Sequence, residues 1–165
     1  DRFAALYQDQ GLPTEVFSAV KAKQPELPLD FDARVQAVAA FLKTPESESL
    51  ASANKRVSNI LAKSDLTIEA NNFKTSLLIE PAEKALAAAI KQQEEIVLPL
   101  FEQSNYRDGL LKLTELSTAI DNFFDTVMVN AEDISLKENR LSLLAKLRAL
   151  FFHVADISLL AKAKN

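Results

Sequence analysis

The chain has 165 residues, 48 % of them hydrophobic, with one histidine, two glycines and no cysteine. The lack of cysteine excludes disulfides and thiolate metal sites, and a single histidine excludes a histidine metal cluster. The formal net charge of −4 excludes a protein that holds nucleic acid through a large overall basic field.

Composition favours helices throughout. Few glycines, abundant alanine, leucine, lysine and glutamate, and no alternating apolar pattern are typical of an all-α protein. We predict a single domain over residues 1–165, an antiparallel helical bundle of about seven to eight helices around a central C-terminal helix. No apolar run approaches the roughly 20 residues of a membrane span and no signal peptide precedes Asp1, so we expect a soluble, cytoplasmic protein.

The N-terminal segment predicts a helical hairpin. A first helix over 2–10 should stop at Gly11, and Pro13 should begin the second helix. The chain starts without Met in what reads as a helix, which indicates a piece of a longer polypeptide. The two prolines within 24–29 make that stretch a connector.

Two helices should follow, on either side of Pro45. Asp30 can cap the first, and its apolar residues recur at spacings of 4, 3 and 4: Phe31, Val35, Val38 and Leu42. The second should turn its apolar residues inward and leave Arg56 at the flank of a polar face. That polar face carries Ser52, Lys55, Asn59 and Lys63.

The middle of the chain is less regular. Residues 65–79 read as a loop with some helical turn, because polar residues interrupt the apolar pattern there. Pro81 suits the first turn of a long helix, which Pro99 should kink or end. Asn105 with Asp108 resembles the cap of the next helix.

Residues 135–160 are predicted to form the central helix. Ser135 and Glu138 fit a capping box at its start. Apolar residues cover most of its circumference at helical pitch, so neighbours must cover most of its sides. Only a narrow line of residues is predicted to face solvent: Ser142, Lys146, Ala149, His153 and Asp156.

Charge is unevenly distributed along the chain. Residues 101–136 contain seven acidic and two basic residues, net −5, whereas 137–165 contain six basic and two acidic residues, net +4. Residues 52–64 contain three basic residues and no acidic one. This pattern is compatible with a confined phosphate-contacting surface or with ordinary solvated faces.

The sequence offers little for catalysis. His153 is the one imidazole and lies among apolar residues, where a packing role is more common than a catalytic one. Asp125, Glu132 and Asp133 match no calcium loop, and glycine-rich phosphate loops are absent. We therefore expect a binding or scaffolding domain with no catalytic residue, cofactor or metal site of its own.

Several motifs resemble the DALR-type anticodon-binding domains of aminoacyl-tRNA synthetases. They are residues 120–125 (IDNFFD), 139–144 (NRLSLL) and 154–160 (VADISLL). With residues 53–61 (ANKRVSNIL) and 80–82 (EPA), the set is similar to the C-terminal domain of the bacterial glycine–tRNA ligase β-subunit family, over most of the chain from 2 to 160.

This resemblance implies a helical domain that docks on the anticodon arm of glycine tRNA. Adenylate formation would belong to the separate α subunit of an α2β2 glycine–tRNA ligase, which binds ATP, magnesium and glycine. Anticodon bases are unstacked, so Asn and Arg can read or stack on them while Lys holds phosphates. On that logic Lys55 and Lys63 would contact the RNA backbone, and Arg56 and Asn59 would read or stack on bases.

The second basic segment adds Asn139, Arg140 and Arg148 as candidate RNA-binding residues. Both arginines lie close to apolar strips and could instead reach acidic residues on neighbouring helices. A single RNA-binding patch requires this segment to lie near Lys55, Arg56 and Lys63. Two alternatives stay open, an assembly module that contacts other subunits through the first hairpin and an unrelated helical scaffold.

Overall fold

The structure is a computed structural model that describes residues 10–25, 27–66 and 68–161. Within these ranges it contains seven α-helices and no strand. The helices are α1 (Thr14–Lys21), α2 (Pro28–Leu42), α3 (Ser47–Lys63), α4 (Pro81–Glu102), α5 (Tyr106–Leu113), α6 (Ser117–Thr126) and α7 (Ile134–Phe152). Four 3-10 turns accompany them: Ala70–Asn72, Thr75–Leu77, Thr114–Leu116 and Ile157–Leu160. The predicted all-α bundle is confirmed, and residues 2–9 of the helix predicted over 2–10 lie outside the described residues.

The first turns of the helices show which of the predicted proline and capping positions are used. Pro28 and Pro81 each occupy the first turn of a helix, where the missing proline N–H costs nothing. Asp30 was predicted to cap α2, but it lies inside the first turn and its carboxylate binds other side chains. Pro99 does not end α4, which continues to Glu102.

The connection between α3 and α4 is a loop with two 3-10 turns, as the sequence predicts for 65–79. The Asn139 side chain holds it against α7. The Asn139 amide oxygen accepts from the Lys74 backbone N–H at 2.7 Å, and its amide nitrogen donates to the Lys74 carbonyl at 3.0 Å. This pair of bonds satisfies the backbone N–H and carbonyl of Lys74 as a neighbouring strand would, so the loop is held in place without a β-strand.

Helix α7 is covered on most sides, as predicted for the central helix. Its buried residues comprise six apolar residues and three polar ones, among them Ser142, which was predicted to face solvent. They are Asn139, Arg140, Leu141, Ser142, Leu143, Leu144, Leu147, Leu150 and Phe151. The predicted capping box at Ser135 is wrong, because the Asp133 carboxylate caps the helix by accepting from the Ser135 and Leu136 N–H groups at 2.8 and 3.3 Å.

The predicted continuation of this helix to Leu160 is also wrong, and distant residues explain why. The α-helix ends at Phe152, and Arg34 Nη1 donates to the carbonyls of His153 and Val154 at 2.6 and 2.8 Å. The Asp156 N–H then donates to the Ala19 carbonyl of α1 at 2.9 Å. Because α1 and α2 supply these partners, the chain turns away from the helix axis and forms a 3-10 turn against α1 and α3.

Arg34 also joins a polar cluster between α2 and α5. Its Nε lies 2.7 Å from Asp30 Oδ2 and its Nη2 donates to the Tyr106 hydroxyl at 3.0 Å. The Tyr106 hydroxyl in turn donates to Asp30. Burial raises the pKa of the Asp30 carboxyl, but the hydrogen bonds from Tyr106 and Arg34 and the guanidinium charge outweigh it, so the pKa lies below its usual value.

This shift predicts a pH-dependent contribution to stability. Because the folded-state pKa of Asp30 is lower than that of the unfolded chain, about 3.9, its contribution is complete above that value and is lost as the pH falls through the folded pKa. We expect Asp30→Asn to lower the free energy of unfolding at pH 7 and to matter less at about pH 3. Urea denaturation across this pH range measures the free energy of unfolding of Asp30→Asn and of the unsubstituted chain, with the exposed Asp65→Asn as control. A difference between Asp30→Asn and the unsubstituted chain that is independent of pH would contradict the lowered pKa of Asp30.

No helix in the described ranges is long and apolar enough to cross a membrane.

Candidate nucleic-acid interface

The polar face of α3 forms one wall of a surface groove, and α6 forms the other. The groove has a volume of about 980 Å³, which falls in the range of small-molecule sites and suits a nucleotide. Its lining comprises Ser49, Ser52, Ala53, Lys55, Arg56, Asn59, Ile60, Lys63, Asp121, Phe124, Asp125 and Ala161. The four residues predicted on α3 therefore share one groove.

Local periodicity places the α3 residues together. Positions 52, 56, 59 and 63 recur at three and four residues, so they follow one face of the helix. On the other side α3 buries Leu50, Ala51 and Val57 against the core. The predicted division of this helix into an apolar and a polar face is confirmed, and the anchored apolar side fixes the direction in which the polar side chains point.

Arg56 and Phe124 connect the two walls of the groove. The Arg56 guanidinium carbon lies 4.3 Å from the centre of the Phe124 ring, in cation–π geometry. Phe124 meets the fully buried Phe123 edge-on, with ring centres 5.6 Å apart. An exposed arginine is thus held on an aromatic ring that the core itself supports.

The charges in the groove are not neutralised in pairs. Within the part of the chain that the structure describes, Lys55, Arg56 and Lys63 form no ion pair, and neither do Asp121 and Asp125. A long polar contact across the groove joins the Ser49 hydroxyl to Asp121 at 3.4 Å. The cationic groups remain free to meet anions from solution.

Asn139 and Arg140 lie away from this groove and are buried. Arg140 Nη2 is 2.9 Å from Glu83 Oε1, and its Nη1 donates to the Met128 carbonyl at 2.6 Å. Asn139 is occupied by its two bonds to Lys74. Both side chains hold connecting segments onto α7, so we leave them out of the interface.

Arg148 adjoins α3 but on another flank. Its Nε donates to the Ser58 hydroxyl at 3.0 Å, and its Nη2 lies 3.8 Å from Asp156. Ser58 is two residues from Arg56, which places it roughly 160° around the helix. The last helix is therefore close to α3, as a single patch requires, but its basic side chains do not enter the groove.

Sequence reasoning missed the α6 wall. In the sequence, Phe124 and Asp125 belong to a motif that carries the family resemblance, and Asp125 was otherwise weighed only as a cation ligand. A signal exists in the spacing, since positions 121, 124 and 125 share one face of α6. Only the packing of α6 beside α3 shows that this face meets the basic one.

His153 packs as an aromatic group. Its ring lies 5.7 Å from that of Phe101 at 23°, a stacked arrangement. Burial, helped by the positive charges of Lys23 and Arg34, lowers the pKa of the imidazole and so favours the neutral ring. The contacts explain this residue by packing, and we assign it no chemical role.

An all-α fold whose groove carries basic side chains and an arginine stacked on an aromatic ring suits contacts to the phosphates and bases of RNA. Residues 50–157 match the DALR anticodon binding domain family, a range that contains the whole groove except Ala161 and Ser49. The chain belongs to this family of anticodon-binding domains.

Relatives from several bacteria show which kind of synthetase subunit the chain resembles. The chain is 52 % identical over 163 residues to the glycine–tRNA ligase beta subunit of Marinobacter nauticus, covering 99 % of this chain and 24 % of that protein. It is 52 % identical over 160 residues to the same subunit of Pseudomonas aeruginosa, covering 97 % and 23 %. For Haemophilus influenzae the figures are 52 % over 159 residues, 96 % and 23 %. The resemblance found in the motifs is confirmed, and the chain spans about a quarter of the length of these relatives.

Proposed function

We propose that this domain binds the anticodon arm of glycine tRNA through the groove between α3 and α6. The observation that carries the proposal is the Arg56 guanidinium held over Phe124 beside three further polar groups of α3. Unpaired anticodon bases expose both faces and their hydrogen-bonding edges, and proteins read them by stacking and edge contacts.

Each side chain has a distinct part in this proposal. Arg56 offers the outer face of its guanidinium as a stacking surface for one base, and its fixed position reduces the entropy lost on binding. The Asn59 amide can donate to and accept from a base edge. Lys55 and Lys63 are exposed and contact phosphates, which positions the RNA without reading its sequence.

The domain would serve a cytoplasmic glycine–tRNA ligase without doing chemistry itself. We propose that it forms part of a β subunit, and that a separate α subunit attaches glycine to the tRNA with ATP and magnesium in an α2β2 assembly. The named relatives support this placement, because they are glycine–tRNA ligase beta subunits several times longer than this chain. The chain would constitute one domain of that subunit.

A binding measurement tests the anticodon proposal. The chain is titrated with glycine tRNA and with the same tRNA carrying altered anticodon bases, at two salt concentrations. We expect altered bases to weaken binding about tenfold or more, and Arg56→Ala/Asn59→Ala to weaken binding of the natural tRNA by about 10–100-fold, since each stacked base contributes about 1–3 kcal/mol.

The matched control removes the same kinds of side chain elsewhere. Gln103 and Arg107 are both exposed and lie outside the groove, so Gln103→Ala/Arg107→Ala should change affinity less than threefold by the loss of one charge. If all tRNAs bind weakly and equally, salt abolishes binding and both double variants behave alike, the attraction is non-specific and the proposal fails.

That result would favour the second candidate function, an assembly module. Leu27 and Leu29 are 68 % and 87 % exposed in and beside the start of α2, where large apolar side chains indicate contact with another protein surface. Light scattering of Leu27→Ser/Leu29→Ser in the complete ligase would then show whether subunit association is weakened.

A further inference from the structure

The α6 wall of the groove carries negatively charged side chains, which contacts to RNA phosphates do not explain. Asp121 and Asp125 line the α6 side, both exposed, four residues apart and on the same face of the helix as Phe124. Neither forms an ion pair with the basic residues opposite, within the described part of the chain. The carboxylates therefore do not serve to hold Arg56 or the lysines.

Carboxylates in such a groove weaken the attraction for phosphate. They offer only hydrogen-bond acceptors, and they repel the phosphate oxygens that Lys55 and Lys63 attract. A carboxylate contributes favourably to RNA binding when it accepts from a base amino group, as Asp and Glu do from the N4 amine of cytosine. The α3 wall thus suits the phosphate of a nucleotide, and the α6 wall suits the edge of its base.

The position of Arg56 shows how one nucleotide could contact both the lysines of α3 and the carboxylates of α6. A base stacked over the guanidinium lies between the walls, because Arg56 comes from α3 and rests on Phe124 of α6. If its phosphate faces the lysines of α3, its hydrogen-bonding edge is left to α6. That edge then meets the two carboxylates.

We propose that Asp121 and Asp125 select a base that carries an exocyclic amine: cytosine, adenine or guanine. The inference rests on the proposed function, since it names the kind of base that the same groove takes. Uracil is disfavoured because carbonyl oxygens, which the carboxylates repel, flank N3–H, the one donor on its Watson–Crick edge.

Base-analogue substitution tests the selection. Anticodon stem-loops of glycine tRNA are prepared in which each amine-bearing loop base is replaced in turn by its amine-free counterpart: uridine, purine riboside or inosine. The unsubstituted chain should lose about 5–100-fold in affinity at one position at least. In Asp121→Asn or Asp125→Asn that loss should shrink to less than threefold, because an amide both donates and accepts.

The control separates base reading from general charge. Glu95 is exposed on α4 and outside the groove, so Glu95→Gln removes one negative charge without altering the walls. If the aspartate variants bind every stem-loop tighter by the same factor as Glu95→Gln and keep the wild-type discrimination, the inference is overturned while the proposed function stands. If the unsubstituted chain discriminates against no analogue and tolerates Arg56→Ala, both are overturned.

Discussion

Replacing Arg140 by alanine is expected to lower the free energy of unfolding by about 3–5 kcal/mol. Glu83 is fully buried, and its carboxylate faces the Arg140 guanidinium at 2.9 Å. Without Arg140 a buried negative charge has no counter-ion, and the Met128 carbonyl loses its donor. Because this penalty arises from desolvation, it exceeds the loss from removing an exposed ion pair several-fold.

Thermal and urea denaturation measure this effect. For a chain of this size the expected loss corresponds to a fall in Tm of about 6–20 °C. The exposed Arg107→Ala should change stability by less than about 0.5 kcal/mol. The double variant Glu83→Leu/Arg140→Met should recover most of the stability, since an apolar pair needs no counter-ion. An Arg140→Ala variant as stable as Arg107→Ala would show that the pair contributes nothing.

Replacing Arg34 by alanine is expected to cost about 2–4 kcal/mol. One guanidinium serves Asp30, Tyr106 and two backbone carbonyls at the end of α7. Its side chain is only 11 % exposed, so water cannot replace all of these bonds. The loss of stability should be concentrated in the residues that follow the end of α7.

Hydrogen exchange locates this effect, and Arg34→Lys controls for charge. Amide exchange over residues 153–160 should accelerate more than exchange in α4 or α5, because the carbonyls of His153 and Val154 lose their donor. Lysine keeps the charge but lacks the planar fork of donors, so it should restore less than half of the lost stability. Uniform acceleration across the chain would contradict a local role.

These two arginines also show where sequence reasoning stopped. Arg140 was a candidate RNA-binding residue and Arg34 carried no prediction, yet the partners of both lie far along the chain. Arg140 meets Glu83 across 57 positions, and Arg34 meets His153 across 119 positions. No pattern within a helix specifies a contact at such a separation, so the sequence left Arg140 open to RNA binding or to an acidic partner, and the fold pairs it with Glu83.

The sequence by itself determined the features that depend on neighbouring residues. The two faces of α3 follow from apolar residues at helical spacing, and Pro81 marks the start of α4 because proline tolerates the first turn. Lys55, Arg56, Asn59 and Lys63 could be grouped for the same reason. Hydrogen bonds and side-chain periodicity within a helix span only four residues, so local sequence is sufficient.

Only the tertiary structure decided which groups are free and which are engaged. It buried Asn139 and Arg140, ended α7 at Phe152 through Arg34, and set the carboxylates of α6 opposite the basic face of α3. The physical reason is that burial and pairing depend on which helices lie side by side. That arrangement is fixed by the packing of the whole core, in which each helix face selects its partner from the others.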